Sequence, residues 1–232
     1  MSPHHLLVYF IRHGETDENS QEIIQGQYGK MLLQIQLNAK GTSQAASLAQ
    51  SLEDVTFNKV YCSDLSRCVN TAKPIINSHP SVDVEYDKRL RERSFGDFQT
   101  HGYAELRQAA REEGTSEDQL IVSRGGETVE AVLMRTLTFF TECTKRELDL
   151  GTSRTIAVVS HGGPLKLLFR ELIKVHQVPC LEGYFGRVPN TALSILLVTP
   201  AGDAPPEMLF KTMNNVTHLR DHNQSMVDGP TI

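Results

Sequence analysis

The run Thr155-Ile156-Ala157-Val158-Val159 is unbroken, rich in β-branched residues and free of polar alternation. A strand with one wet face alternates apolar and polar residues. A run without alternation is buried on both faces, as in a central strand of a parallel sheet covered by helices. It predicts a strand over Arg154–Ser160, and the apolar run Leu6 to Ile11 predicts a second buried strand. Both stop in the same manner, one at Arg12-His13-Gly14 and the other at Ser160-His161-Gly162-Gly163-Pro164. Ligands of open α/β sheets sit at the carboxyl ends of strands, so this shared ending nominates a site. Pro164 suits the first turn of an amphipathic helix from Leu165 to about Val175, whose free amides favour an anion.

The remaining pattern completes an α/β alternation. Asn38 caps a helix through about Leu52, with Ala45, Leu48, Ala49 and Leu52 as its apolar stripe. A short strand, Phe57 to Tyr61, leads to a helix capped by Ser63 or Asp64 and running to about Asn77. Arg67 falls in that helix's first turn, where its charge opposes the helix dipole unless an anion lies nearby. A third strand covers Val82 to Tyr86, and helices cover 102–113 and 128–147. In the second of these Val129, Val132, Leu133, Leu137 and Phe140 form the apolar face, and Glu127 is placed to meet the dipole. Further strands are expected at Thr191–Val198 and, as an edge, at Met208–Met213, joined by a polar loop from Pro200 to Pro206. The expected fold is α/β, a doubly wound and mostly parallel central sheet flanked by helices, in one domain over residues 1–220. Residues 221–232 are expected to be a disordered tail, and the apolar stretch 28–37 carries no assignable structure.

Charge and composition narrow the partners. A formal net charge of −5 argues against a generic nucleic-acid binder and requires any phosphate site to concentrate its arginines locally. No apolar run approaches the roughly 18 residues of a membrane-spanning helix, and the amino terminus lacks a signal-peptide layout, so no membrane partner and a cytoplasmic location are expected. The four cysteines are scattered without metal-type pairs, which fits reduced, mostly buried thiols. No carboxylate or histidine cluster has metal spacing, so neither a metal nor a cofactor is expected.

Four residues just past strand ends, Arg12, His13, Arg67 and His161, suit phosphoryl transfer. A neutral imidazole can attack phosphorus, while guanidiniums and helix amides neutralise the other oxygens. Within the charged stretch Asp87–Phe98, Glu92 is the candidate proton donor, while Arg89, Arg91 and Arg93 read as a solvated charge cluster. Asn19, Gln25 and Gly26 lie in a polar loop or short helix between Glu15 and Gln27, where turn chemistry alone would account for them. The sequence has neither the G-x-S-x-G elbow of serine hydrolases nor the G-x-x-x-x-G-K-[ST] loop of P-loop enzymes.

Together, Arg12-His13-Gly14-Glu15-Thr16, Ser63-Asp64-Leu65 with Arg67, Glu92, and Ser160-His161-Gly162 resemble the histidine phosphatase, or phosphoglycerate-mutase-like, superfamily over about residues 6–219. The resemblance implies that His13 is the nucleophile that becomes phosphorylated. It implies that Arg12, Arg67 and His161 complete the phosphate pocket with Gly162 at the helix start. Glu92 is then the acid and base, and Asn19, Gln25 and Gly26 contact the transferred phosphate or the substrate. Ile23-Ile24-Gln25-Gly26-Gln27, Arg89-Leu90-Arg91-Glu92-Arg93, Gly125-Gly126-Glu127-Thr128 and Pro189-Asn190-Thr191 look most like its fructose-2,6-bisphosphatase members. The sequence departs from them in the apolar 28–37 segment and in a much shorter link between the 128–147 helix and the 154–160 strand. The mutase branch carries a long aromatic and basic insert after the acid, which residues 93–127 do not resemble. The expectation is therefore a metal-independent phosphomonoesterase for a small phosphorylated metabolite, with fructose-2,6-bisphosphate implied by the resemblance. Phosphoglycerate mutase, a phosphotyrosine phosphatase and a scaffold that lost catalysis are the alternatives.

Overall fold

A computed structural model describes residues 4–27, 35–202 and 204–219. Six strands, β1 (Leu6–Arg12), β2 (Lys59–Cys62), β3 (Asp83–Tyr86), β4 (Arg154–Ser160), β5 (Leu193–Ala201) and β6 (Ala204–Asn215), form one sheet in the order β3-β2-β4-β1-β5-β6. The expected central strand, β4, is parallel to both of its neighbours, β1 and β2. β5 and β6 extend the sheet as an antiparallel hairpin on the far side of β1. The helices are α1 (Asp17–Ser20), α2 (Ala39–Ser51), α3 (Ser66–Ser78), α4 (Tyr103–Glu112), α5 (Glu117–Ser123), α6 (Val129–Leu148) and α7 (Gly162–Lys174).

Period-2 alternation along β4 builds the two cores. Ile156 and Val158 face α6 and α7, where Phe10, Phe139 and Phe169 pack with them. Ala157 and Val159 face the opposite layer, where Leu48 and Ala49 of α2 and Ala72 and Ile75 of α3 cover them. A smaller apolar cluster, Ile24 with Leu106, Ala110, Leu120 and Ile121, fastens α4 and α5 to the loop after α1.

Several expectations need correction. The 66–78 helix begins after Leu65, which offers no side-chain cap. Ser63 and Asp64 are occupied elsewhere, Ser63 with His161 and Asp64 with Arg91. The Pro200–Pro206 loop is mostly strand. Pro200 sits at a break in the β5–β6 register, and Pro205 and Pro206 lie on the edge strand, where a missing N–H is tolerated. Helix α5 was not anticipated, although Ser116 and Gln119 form a capping box at its start. The buried face of α6 is turned toward Phe139, Cys143 and Glu147, leaving Leu133 and Leu137 partly covered. Cys62, Cys68 and Cys143 are buried, whereas Cys180 is exposed; all four are free thiols. Residues 28–34 of the apolar segment and the 221–232 tail lie outside the described residues.

Candidate active site

The carboxyl ends of β1, β2 and β4 deliver His13, Ser63 and His161 to one level of the sheet. Arg12 pairs with Ser160 in the β1–β4 register, and the His13 amide continues the ladder by donating to the Ser160 carbonyl at 3.0 Å. The two imidazole rings lie 5.2 Å apart between centroids, in an edge-on arrangement.

His13 is 3% exposed. Its Nδ1 lies 2.7 Å from the Gly14 carbonyl oxygen. A carbonyl only accepts, so Nδ1 carries the hydrogen and the Nε2 lone pair is left for the cavity. Burial, then the Arg67 and Arg12 charges, hold the His13 pKa well below the usual histidine range. The ring is therefore neutral at pH 7. His161 is likewise pushed well below by burial, Arg67 and His13. Its Nε2 sits 2.8 Å from Ser63 Oγ and 3.3 Å from Cys68 Sγ. Burial raises the Cys68 thiol to about 12, so it stands beside His161 as S–H and not as thiolate.

Arg67 is almost wholly buried, at 1% exposure. One of its nitrogens donates to the Gly26 carbonyl at 3.1 Å, while Nε and Nη1 have no partner among the described residues. Arg12 donates to the Val188 carbonyl at 2.7 Å, and its Nε is likewise unpartnered. Burial lowers the pKa of both guanidiniums, but an arginine starts so high that each keeps its charge. Two guanidiniums, buried Arg67 and half-buried Arg12, share one cavity lining and keep N–H groups without a partner among the described residues, which suits an oxyanion.

Glu92, from the stretch after β3, shares the cavity lining. Its Oε1 accepts from the Arg93 amide at 2.8 Å and its Oε2 from the Gly163 amide at 3.1 Å, in the first turn of α7. Gly163 is a glycine for this reason, since a Cβ there would lie 2.2 Å from Glu92 Oε1. Asn19 belongs to the capping box of α1 and accepts at 3.2 Å from Asn190 Nδ2. Asn190 also donates to the His13 carbonyl at 3.0 Å. The carbonyl of Gly26, a residue with φ of +54°, accepts from Arg67, and Gln25 Oε1 is buried without a partner among the described residues.

A cavity of about 430 Å³ gathers Arg12, His13, Asn19, Gln25, Gly26, Arg67, Glu92 and Gly162 on one lining; His161 stands behind His13. All nine residues nominated from sequence thus converge. Sequence reasoning missed Asn190, Tyr103 and the rim cations Arg107, Lys166 and Arg187, which share the lining. The arginines flanking Glu92 are not freely solvated, contrary to expectation: Arg89 pairs with Asp87 and Glu142, Arg91 with Asp64, and Arg93 with Asp118. Glu127 turns away from the helix dipole and accepts from the Ser94 amide and from Arg135. No group of side chains among the described residues could hold a metal ion, and no described helix is long and apolar enough to cross a membrane.

The chain matches the histidine phosphatase superfamily (branch 1) over residues 8–205 and is a member of it. Among its relatives, fructose-2,6-bisphosphatase TIGAR of Mus musculus is 36% identical, the alignment covering 90% of this chain and 94% of that one. Adenosylcobalamin/alpha-ribazole phosphatase of Escherichia coli K12 is 30% identical over 72% of this chain and 78% of its own length. The phosphoglycerate mutase structure from Bacillus anthracis superposes with a TM-score of 0.77 at 20% identity, covering 95% of this chain and 98% of the other, and so shares the fold.

Proposed function

We propose that the cavity hydrolyses a phosphomonoester in two steps through a phosphohistidine. His13 Nε2 attacks phosphorus and the P–O bond to the leaving group breaks. The Glu92 carboxylic acid gives its proton to the departing oxygen. A water then attacks the phosphohistidine, Glu92 takes a proton from it, and the N–P bond breaks to release phosphate and neutral His13. Arg12, Arg67 and the α7 amides at Gly162 neutralise the equatorial oxygens, His161 backs the His13 ring, and Asn19, Gln25 and Gly26 border the phosphate. The observation that carries this reading is the pinned His13 tautomer beside buried Arg67 and half-buried Arg12, whose guanidiniums keep N–H groups without a partner among the described residues.

The substrate we propose is a small sugar bisphosphate, fructose-2,6-bisphosphate in particular. Arg107, Lys166 and Arg187 line the mouth and have no ion-pair partner among the described residues, which suits a second phosphate. The mouse relative's named activity points the same way. The test is phosphate release, without added metal, from fructose-2,6-bisphosphate, fructose-1,6-bisphosphate, 2,3-bisphosphoglycerate, the phosphoglycerates and a phosphotyrosine peptide, with His13→Ala as blank. Preference for fructose-2,6-bisphosphate and an acid-labile phosphoenzyme are expected. Undiminished release by His13→Ala would overturn the mechanism, and preference for another member of the panel would replace the substrate.

A further inference from the structure

The stretch carrying Glu92 is held by side chains, not by a ladder. Arg135, from the middle of α6, places one guanidinium among three consecutive-turn carbonyls. Nη1 donates to the Arg89 and Arg91 oxygens at 2.7 and 2.6 Å, and Nη2 donates to the Glu92 oxygen at 2.9 Å. Its remaining N–H groups are taken by Glu127, from Nε at 3.0 Å and from Nη2 at 3.1 Å. Glu127 in turn accepts from the Ser94 amide at 2.8 Å, two residues past Glu92. Gln27 closes the ring, its Nε2 donating to the Glu92 carbonyl at 2.7 Å and to Glu127 at 3.1 Å. Arg135 lies three residues after buried Val132 and four before buried Phe139, so a helical stripe that would otherwise be apolar is interrupted by a charge. Its fork geometry, with five N–H donors in one plane, is what allows a single side chain to fix three carbonyls at once.

We propose that Arg135, oriented by Glu127, is the positioning residue that sets where the Glu92 carboxyl stands relative to the leaving oxygen. The inference rests on the assignment of Glu92 as proton donor. Arg135 touches neither substrate nor the reacting atoms; it acts through the backbone of residues 89–92.

A residue that positions a general acid matters in proportion to how much the leaving group needs a proton. An alkoxide departing from glycerol 2-phosphate needs one, whereas 2,4-dinitrophenolate does not. The value of kcat/KM covers steps through formation of the phosphoenzyme, so it reports this transfer even if dephosphorylation limits kcat. Arg135→Lys keeps the charge but cannot reach three carbonyls, and Glu127→Gln keeps the shape but loosens the guanidinium. Both, with Glu92→Gln as reference, are assayed on the two esters. The expected result is a loss of about 10- to 100-fold on glycerol 2-phosphate, part of the range general acids supply, with less than about threefold on the dinitrophenyl ester. Equal losses on both esters would mean a purely structural role and overturn the proposal, as would no loss on either. If Glu92→Gln shows no dependence on leaving group, the acid assignment itself falls and the positioning role with it. If Glu92→Gln shows it and the other two do not, the positioning role alone fails. Should Arg135→Lys not fold, Glu127→Gln decides.

Discussion

The two walls of the cavity are built on different principles. Arg12 ends β1, and His13 and His161 follow directly on β1 and β4, interior strands paired along both edges, with the His13 amide itself a rung of the parallel β1–β4 ladder. Glu92 stands on an irregular stretch fixed by Arg135, Glu127 and Gln27, with its carboxyl steadied by two amides. The His13 wall inherits its precision from the sheet. The Glu92 wall obtains it from a network in which each member depends on the others, so loss of one is felt by all.

Substitutions can break that contrast. The largest effect is expected from His13→Ala, with turnover falling by about 10⁴-fold or more, as for removal of a covalent nucleophile. Arg67→Met should cost on the order of 10²- to 10³-fold in kcat/KM, the scale of losing a preorganised donor to developing charge. Phosphate release and vanadate affinity should fall together. Gly163→Ala places a Cβ where Glu92 Oε1 lies, so the carboxyl must move; about a tenfold loss is expected on an alkyl ester, with far-ultraviolet circular dichroism unchanged. A Gly163→Ala enzyme with full activity would show that the acid wall tolerates displacement and that the contrast is overstated.

The smallest effect sharpens the nucleophile's side. His218, 9% exposed, lies with its Nε2 3.1 Å from Thr191 Oγ1, and the neighbouring Asn190 holds the His13 carbonyl. Burial lowers the His218 pKa to about 4. Between pH 6.5 and 4 the unfolded chain binds this proton and the folded chain does not, so stability falls as pH falls through that window. His218 therefore supplies a modest part of the stability lost on acidification across this window. His218→Gln should flatten part of the slope in urea titrations at pH 6.5 and pH 4; an unchanged slope would place the titration elsewhere.

What could be read from sequence follows the same division. The strands around Ile156 and Phe10 were legible because burial on both faces leaves a continuous apolar run, and their endings exposed His13 and His161 as a pair. Asn38 announced α2 because its side chain really does cap, accepting from the Gly41 amide at 2.8 Å. Ser63 misled because a serine before a helix reads as a cap, whereas here its hydroxyl faces a histidine 98 residues away. Arg91 and Arg93 misled because their partners, Asp64 and Asp118, are distant in sequence and carry no local signal; for Arg89 one partner, Glu142, is equally distant, while Asp87 lies two residues away. Arg135 did leave one mark, a guanidinium on the covered side of a helix, which hydrophobic periodicity registers only as a gap.

The register of β1 on β4 has a consequence for how such an enzyme can acquire new substrates. The 5.2 Å between the two imidazoles follows from the spacing of adjacent strands, roughly 4.8 Å, which the ladder sets and the loops do not. The sheet thus acts as a fixed gauge for a phosphoryl group, whatever is attached to it. Arg107, Lys166 and Arg187 lie at the rim on α4, α7 and the loop before β5, where they can be exchanged without disturbing that gauge. Selection for a different metabolite has those three positions to work on first, and an engineer has the same starting library.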